Sequence, residues 1–445
     1  MQPSEGLKIA LNKIRETSIE SDTLYHKVVS EVTDDTNIGN WGAPILDPQN
    51  TNVLNEFVSL LKKVVFTAVY NKTFNNPLAQ LEGERMPLGQ FIEDVYVNPA
   101  KEHNFQVNDF AAILQRYEAE TAVQYLNLNS DKQWAVSITR EKIRTAFQSW
   151  QALEDLVTGY INSLYNGCYL TRYNQTKALV TGAYKGNRVQ YEVISDVTDK
   201  QSAQALIQAM RAAYSKFQVP STKFNAWEKV KGDRMSLKTW SDPEDIIVLI
   251  SADVEALVDV QVLAAALNSN ANKTDFLGRV IVVDDFNQYN DDGTVAVNGS
   301  AIKAMICDKS WFKIKTQDFA MDEWYNAGNR VWQYFLNDVR LVNHSLFANA
   351  LMFVTSAPTV AATDLDIDTA SVTVTAGETV KVPFVITPAN ATSTVSVTSS
   401  ASTYATGSVS GRDIVVEGKE AGSATLTVTA NGHSDTIAVT VQAAS

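Results

Sequence analysis

Asp284 and Asp285 close the run RVIVVDDF (Arg279–Phe286), and a carboxylate pair at the end of a predicted strand is this chain's best prospect for chemistry. In α/β proteins the C-terminal ends of strands are where ligands bind, and paired carboxylates there can hold Mg²⁺. Nothing around the pair supports that use. No glycine-rich phosphate loop opens a helix, no G-x-S-x-G or H-E-x-x-H motif is present, and no base or electrophile lies nearby in sequence. The pair therefore reads as a strand end entering the polar turn NQYNDDGT (Asn287–Thr294). Asp285, Asn287 and Asp292 loosely resemble a Ca²⁺ loop, but Tyr289 stands at a ligand position and no glutamate closes the loop. Cys168 and Cys307 have neither metal nor disulfide spacing and read as small core residues. His26, His103, His344 and His433 are scattered singly. The aromatic group Trp324, Trp332, Tyr334 and Phe335 would need an interleaved basic patch to stack bases; without one it reads as core packing. We assign no catalytic, cofactor-binding or metal-ligating residue and expect no enzyme and no cofactor.

The chain has 445 residues, 45% hydrophobic and 20% charged, with a net charge of −13. That is enough for two or three globular domains, and the acidic balance excludes a protein that coats nucleic acid. It does not exclude one that encloses nucleic acid. The start, MQPSEGLKIA, lacks the pattern of a signal peptide, and no apolar run approaches the ~20 residues of a membrane span. The expectation is a soluble product of a cytoplasm.

The elements that would position these residues are unusual. Asn75–Pro99 carries prolines at 77, 87 and 99 and glycines at 83 and 89, which exclude a regular α-helix. Yet Leu78, Leu81, Met86, Leu88, Phe91, Ile92, Val95, Tyr96 and Val97 all call for burial. Upstream, Asn52–Tyr70 has helical spacing at Val53, Phe57, Leu60, Leu61 and Val64. Downstream, Leu126 and Leu128, then Trp134, Val136 and Ile138, alternate with polar residues on either side of the turn Asn129–Lys132. A long hairpin-like excursion over about 75–138 follows, with a helical insert within 102–120. Ile143, Phe147, Trp150, Val157, Ile161 and Leu164 predict a long helix from Thr139, its N-cap, to Gly167, its stop. A second helix spans Ser202–Phe217, ahead of Pro220. Then come a strand at Asp245–Ile250, a helix at Ser251–Leu267, strands at Arg279–Phe286 and Ala301–Ile314, and strands within Arg330–Val354.

Composition changes at Ser356–Thr363. All eight tryptophans and both cysteines precede it; beyond it the chain is Thr, Ser, Val and Ala with glycine turns. From Thr363 on there are eight acids and three bases, net −5 of the −13. Short period-2 strands with regular turn signals predict a β-sandwich. Large unpaired apolar surface of this kind marks an interface, and head-to-tail contacts between different surfaces build rings or closed arrays.

Several stretches carry a resemblance: NNPL (Asn75–Leu78), PLG and IEDVY (within Pro87–Tyr96), TAFQSW (Thr145–Trp150), TDFLGRVIVVDDF (Thr274–Phe286), DKSWF (Asp308–Phe312) and LFANALMFV (Leu346–Val354). In this order they resemble the major capsid proteins of phi-29-type short-tailed phages. The resemblance implies an α+β HK-97-type capsid fold followed by an all-β immunoglobulin-like sandwich. It implies an N-terminal arm and helix over 1–74, an E-loop over 75–138, and a peripheral domain over 139–244 with a spine helix over 139–167. The axial domain would span 245–314, return strands of the peripheral domain 315–355, a linker 356–363, and the sandwich 364–445. The E-loop would lie across a neighbouring subunit, which would bury its apolar residues and pair with Glu82, Glu84, Arg85, Glu93 and Asp94. The tail resembles group 2 bacterial immunoglobulin-like domains through ITPANATSTVSVTSS and EAGSATLTVTA, with Val397 where such domains have a core tryptophan. The implied function is a structural protein whose pentamers and hexamers self-assemble into an icosahedral shell around phage DNA. Such a shell encloses DNA without sequence-specific binding, forms in the host cytoplasm, and has a scaffolding protein and a portal as partners. It has no membrane partner, and its sandwich is available to host surfaces. The competing reading, from the sandwich alone, is a cell-surface or fibre adhesin.

Overall fold

The computed structural model of the chain describes residues 5–19, 23–47, 49, 52–58, 74–87, 91–102, 116–232, 235–258 and 279–444. It divides into two units, residues 1–92, 126–176 and 314–342, and residues 93–125, 177–313 and 343–445.

The helices are α1 (Glu5–Ile19), α2 (Leu24–Val28), α3 (Ile38–Leu46), α4 (Arg140–Ala146), α5 (Trp150–Lys185), α6 (Lys200–Phe217), α7 (Trp227–Lys231) and α8 (Ala252–Glu255). Residues 52–58 are also helical. The remainder of the helix expected over 52–70, most of the insert within 102–120, Leu88, and most of the helix expected to Leu267 lie outside the described residues. Ahead of the sandwich the strands are β1 (Ile92–Val97), β2 (Thr121–Leu126), β3 (Ser130–Thr139), β4 (Gln190–Val193), β5 (Ile246–Ser251), β6 (Val280–Val283), β7 (Gln288–Tyr289), β8 (Val295–Val297), β9 (Ile302–Asp308), β10 (Phe312–Asn326), β11 (Val331–His344) and β12 (Ala350–Val354).

In the first unit a three-stranded sheet, β10-β11-β3, packs with α1, α3 and α5. Trp41, Phe57, Phe147 and Trp150 form its aromatic centre, with ring centroids 5.6–6.2 Å apart. The long helix differs from its expected extent of 139–167. Thr139 does cap a helix, its hydroxyl accepting from Lys142 N, but α4 ends at Ala146 and α5 restarts at Trp150. Gly167 does not stop α5, which runs 36 residues to Lys185, about 54 Å. The glycine serves packing instead: a Cβ there would lie 3.0 Å from Trp134 Cδ1. The strands flanking Asn129–Lys132 do not pair with each other. β2 joins β1, whereas β3 joins β11 in antiparallel register from Ser130↔Arg340 to Thr139↔Val331.

In the second unit the sheet β4-β12-β9-β5-β6 is mixed, with β4–β12 and β5–β6 parallel and the other pairs antiparallel. β5 is buried along its whole length, as an unbroken apolar run requires. α6 covers the sheet with Leu206, Ile207, Met210, Ala213 and Phe217, and a capping box of Asp199 and Ser202 starts it. The single strand expected over Ala301–Ile314 is two, β9 and β10, because Asp308 accepts from Ser310 N and turns Lys309–Trp311 into a 3₁₀ step.

The tail is a sandwich of β13 (Asp364–Asp366), β14 (Ser371–Thr375), β15 (Thr379–Pro383), β16 (Val385–Thr387), β17 (Val395–Ser399), β18 (Ala405–Ser410), β19 (Asp413–Gly418), β20 (Gly422–Ala430) and β21 (His433–Gln442). Sheet β14-β21-β20-β17 faces β15-β19-β18 across Ile414, Val416, Leu426, Val428 and Ile437. Val397 packs against this core half-buried.

Two predictions follow from this packing. Gly167→Val drives a branched side chain into the Trp134 indole and costs about 1–3 kcal/mol in urea unfolding. His344 is buried, its ring stacked on Trp311 at 5.0 Å, with no hydrogen-bond partner for Nδ1. Burial lowers its pKa from 6.5 to about 4. The unfolded chain therefore takes up a proton that the folded chain refuses. Stability is complete above pH 6.5 and is lost as pH falls toward 4, by about 3 kcal/mol. His344→Phe, which keeps the stack and removes the titration, flattens that slope in urea melts between those two values.

Candidate assembly interface

The strap that follows Asn75 is built onto its own chain. Pro77 starts a 3₁₀ turn (Pro77–Leu81) whose N-cap, Asn76, accepts from Leu78 N. Gly83 N and Met86 N then donate to Ile314 O and Thr316 O at 2.8 Å each, so the strap borders β10. Leu78, Leu81 and Met86 are buried, and Met86 packs with Leu126 and Leu341. The expectation that a neighbouring subunit buries this apolar stretch is therefore corrected for its first half, because the β10 edge supplies the backbone partners and the shelter.

Three of the five charges expected to pair between subunits, Glu82, Arg85 and Asp94, find ion-pair partners within the chain. Glu82 bridges two arginines, accepting from Arg340 Nη2 at 2.6 Å and Arg172 Nη1 at 3.2 Å. Arg172 also grips Asp338 through both Nη2 (2.7 Å) and Nε (2.9 Å). Its guanidinium lies over the Phe319 ring at 4.8 Å. Burial works against the Arg172 charge, but Asp338 and Glu82 outweigh it and hold its pKa above the ordinary guanidinium value. The Arg340 side chain has 0% exposure; burial pulls its pKa down while Glu82 opposes. Arg85 reaches Asp318 at 3.4 Å, and Asp94 receives Lys313 at 3.0 Å and Ser345 Oγ at 3.2 Å. Cys168 is buried beside Asp338, and burial pushes its thiol up to about 12, which suits a core residue and not a nucleophile.

Asp284 and Asp285, the pair singled out from sequence, receive one lysine. Lys177 Nζ, from α5, stands 2.5 Å from Asp284 Oδ1 and 3.1 Å from Asp285 Oδ1, with its side chain 3% exposed. Asp285 also accepts from Asn287 N and from the Tyr289 hydroxyl. Burial raises the Asp285 pKa, but the bonds from Tyr289 and Lys177 outweigh it and leave the carboxyl below its usual range. The ammonium occupies the place a metal ion would take. Among the described residues no group of three or more His, Cys, Asp or Glu side chains gathers. Sequence reasoning missed Lys177, which lies in a helix more than a hundred residues upstream and carries no local signal.

One face of the β1–β2 sheet is presented outward. Its inner face is tied down. Gln124 exchanges hydrogen bonds with His344 O and Leu346 N at 2.9 Å each, Tyr96 stacks on Phe347 at 5.8 Å, and the Tyr96 hydroxyl donates to Lys238 O. Alternation then turns Val95 (52% exposed), Val97 (55%) and Tyr125 (63%) to the other side. A sheet with a fixed inner face and an outer face that sets Val95, Val97 and the Tyr125 ring beside Glu93, to which the Tyr125 hydroxyl is bonded, is chemically an association surface. Glu82→Ala, which leaves Arg340 buried with one counter-charge fewer, is expected to cost about 3 kcal/mol in thermal unfolding and to speed amide exchange at Gly83 and Met86.

Comparison with known proteins gives the family. The model of the Phi29-like phage major capsid protein family matches residues 11–354, and that of the bacterial Ig-like domain (group 2) matches residues 361–441. The major capsid protein of Bacillus phage PZA is 29% identical over 321 residues, 72% of this chain and 67% of that protein. That of Bacillus phage B103 is 27% identical over 373 residues, 83% of this chain and 77% of the other. A chain from the capsid structure of Staphylococcus phage Andhra aligns at TM-score 0.51 and 17% identity, over 64% of this chain and 85% of that one. That likeness places the fold among phage capsid subunits of the HK-97 type. The chain belongs to the Phi29-like phage major capsid protein family, with a group 2 bacterial immunoglobulin-like domain following the capsid fold.

Proposed function

We propose that many copies of this chain, as pentamers and hexamers, close into an icosahedral shell around the phage genome, with β1–β2 and the N-terminal segment as the contacts between neighbours. A structural shell role follows from the family. The contacts are our reading, supported by the outward apolar face of β1–β2. An interface of standard size buries ~1,600 Å², and contacts repeated around closed rings gain strength collectively. In this reading residues 75–138 contain the E-loop, α5 is the spine helix, the first unit contains the peripheral domain, and the sheet built on β5, β6 and β9 is the axial domain. The net charge of −13 suits a container that does not clamp its DNA. Assembly in the host cytoplasm with a scaffolding protein and a portal, and contact of the sandwich with host surfaces, complete the proposal. The adhesin reading uses residues 361–441 alone and leaves the capsid match over 11–354 without a role. The structural relatives likewise favour a non-enzymatic protein, with the carboxylate pair as an internal ion pair.

Val95→Lys combined with Val97→Lys tests the contact. Both side chains point outward, so the melting temperature stays within a few degrees, while gradient sedimentation loses the shells and capsomers that the unaltered chain forms. Shells formed as readily by the variant would exclude this face as the interface.

A further inference from the structure

Two helices of the second unit end against the sandwich, and each end is completed by a sandwich side chain. α5 closes with Gly186 N on Gly182 O (2.9 Å) and Arg188 N on Ala183 O (2.8 Å), which places Asn187 at φ 48°. From there Asn187 Nδ2 donates to Asn390 O at 2.8 Å, and Asn390 Nδ2 donates back to Gly186 O. Both asparagines are buried. α7 closes at Gly232, with φ 74°, and Arg412 Nη2 donates to Glu228 O in its last turn (3.3 Å) and to Ala389 O (3.0 Å). The fit is close: a Cβ on Gly232 would lie 2.6 Å from Arg412 Nη1 and 2.9 Å from Ala389 Cβ. The Tyr184 hydroxyl holds the start of the connecting segment through Ser356 O at 2.8 Å.

Gly186 O lies beyond the last turn of α5, whereas Glu228 O already accepts from Gly232 N at 3.0 Å, so Arg412 adds a second, charged donor at an end the helix dipole makes negative. A cation and an amide aimed at two such ends form a complementary surface. From Thr363 on the chain has only three basic residues, Lys381, Arg412 and Lys419, and one of them is placed here. We infer that the immunoglobulin-like sandwich is latched to the capsid part of its own chain by capping two helix C-termini, through Asn390 on α5 and Arg412 on α7, and is not a module swinging on a tether. The partner of this surface is the paired helix ends of the same chain, and the latch holds whether or not subunits assemble.

The test uses the full-length, unassembled chain with a site-specific protease site placed in the connecting segment 357–361. After cleavage the two fragments are expected to co-elute in size exclusion. With Asn390→Ala and Arg412→Ala together they should separate, the affinity in trans falling at least tenfold, while circular dichroism keeps both fragments folded. Gly232→Leu, which fills the Arg412 site from the opposite side, should release the sandwich in the same way. Separation of the unaltered fragments on cleavage, or co-elution of either variant as in the unaltered chain, would overturn the latch.

Discussion

Arg340 brings a full positive charge into a position with no exposed side-chain surface, and the first unit is organised around meeting it. A buried guanidinium without partners costs several kcal/mol, so the surrounding elements must deliver carboxylates with good geometry. The strap delivers Glu82, and β11 delivers Asp338, 3.9 Å from Arg340 Nε. Arg172 on α5 shares both acids. One ionic cluster thus fixes strap, helix and sheet against one another. Replacing all four residues with well-fitted apolar ones would hold the unit equally well; losing one would not. That asymmetry makes the cluster a device for specifying where an otherwise irregular segment lies.

The outward face is set separately, within the second unit, where alternation along β1 decides which side chains face out. A one-residue slip would turn Asp94 and Tyr96 outward and bury Glu93 and Val95. Asp94 with Lys313, and Gln124 with the backbone at residues 344 and 346, oppose that slip within the second unit. An apolar face held in one register is what a shell protein needs, because each subunit must offer its neighbour the same surface.

Much of this was legible in the sequence. Period-2 alternation marked the sandwich strands, and helical spacing marked α6, though its start at Lys200, set by the Asp199–Ser202 capping box, was not read. The family resemblance rested on stretches now found in the strap, β1, β6, the 3₁₀ step and β12. What was illegible has a physical reason in each case. Gly167 looked like a helix stop because glycine ends many helices; its actual use, making room for Trp134, depends on a residue from another strand. Glu82 and Asp94 were assigned to a neighbouring subunit because their partners within the chain, Arg340 and Lys313, lie more than two hundred residues away. The Asp284–Asp285 pair read only as a strand end entering a turn because Lys177, its partner, is invisible at short range. Long-range pairing, not local propensity, decided the roles of Glu82, Arg85, Asp94 and Asp284.

The central claim is that the outer face of β1–β2 is covered by another copy of the chain. Amide hydrogen exchange compared between unassembled subunits and purified assembled particles tests it most directly. Residues 91–97 and 121–126 should gain protection on assembly by an order of magnitude or more, well beyond the change across β5, which is buried in the subunit already. Equal exchange of those two segments in both states would contradict the account.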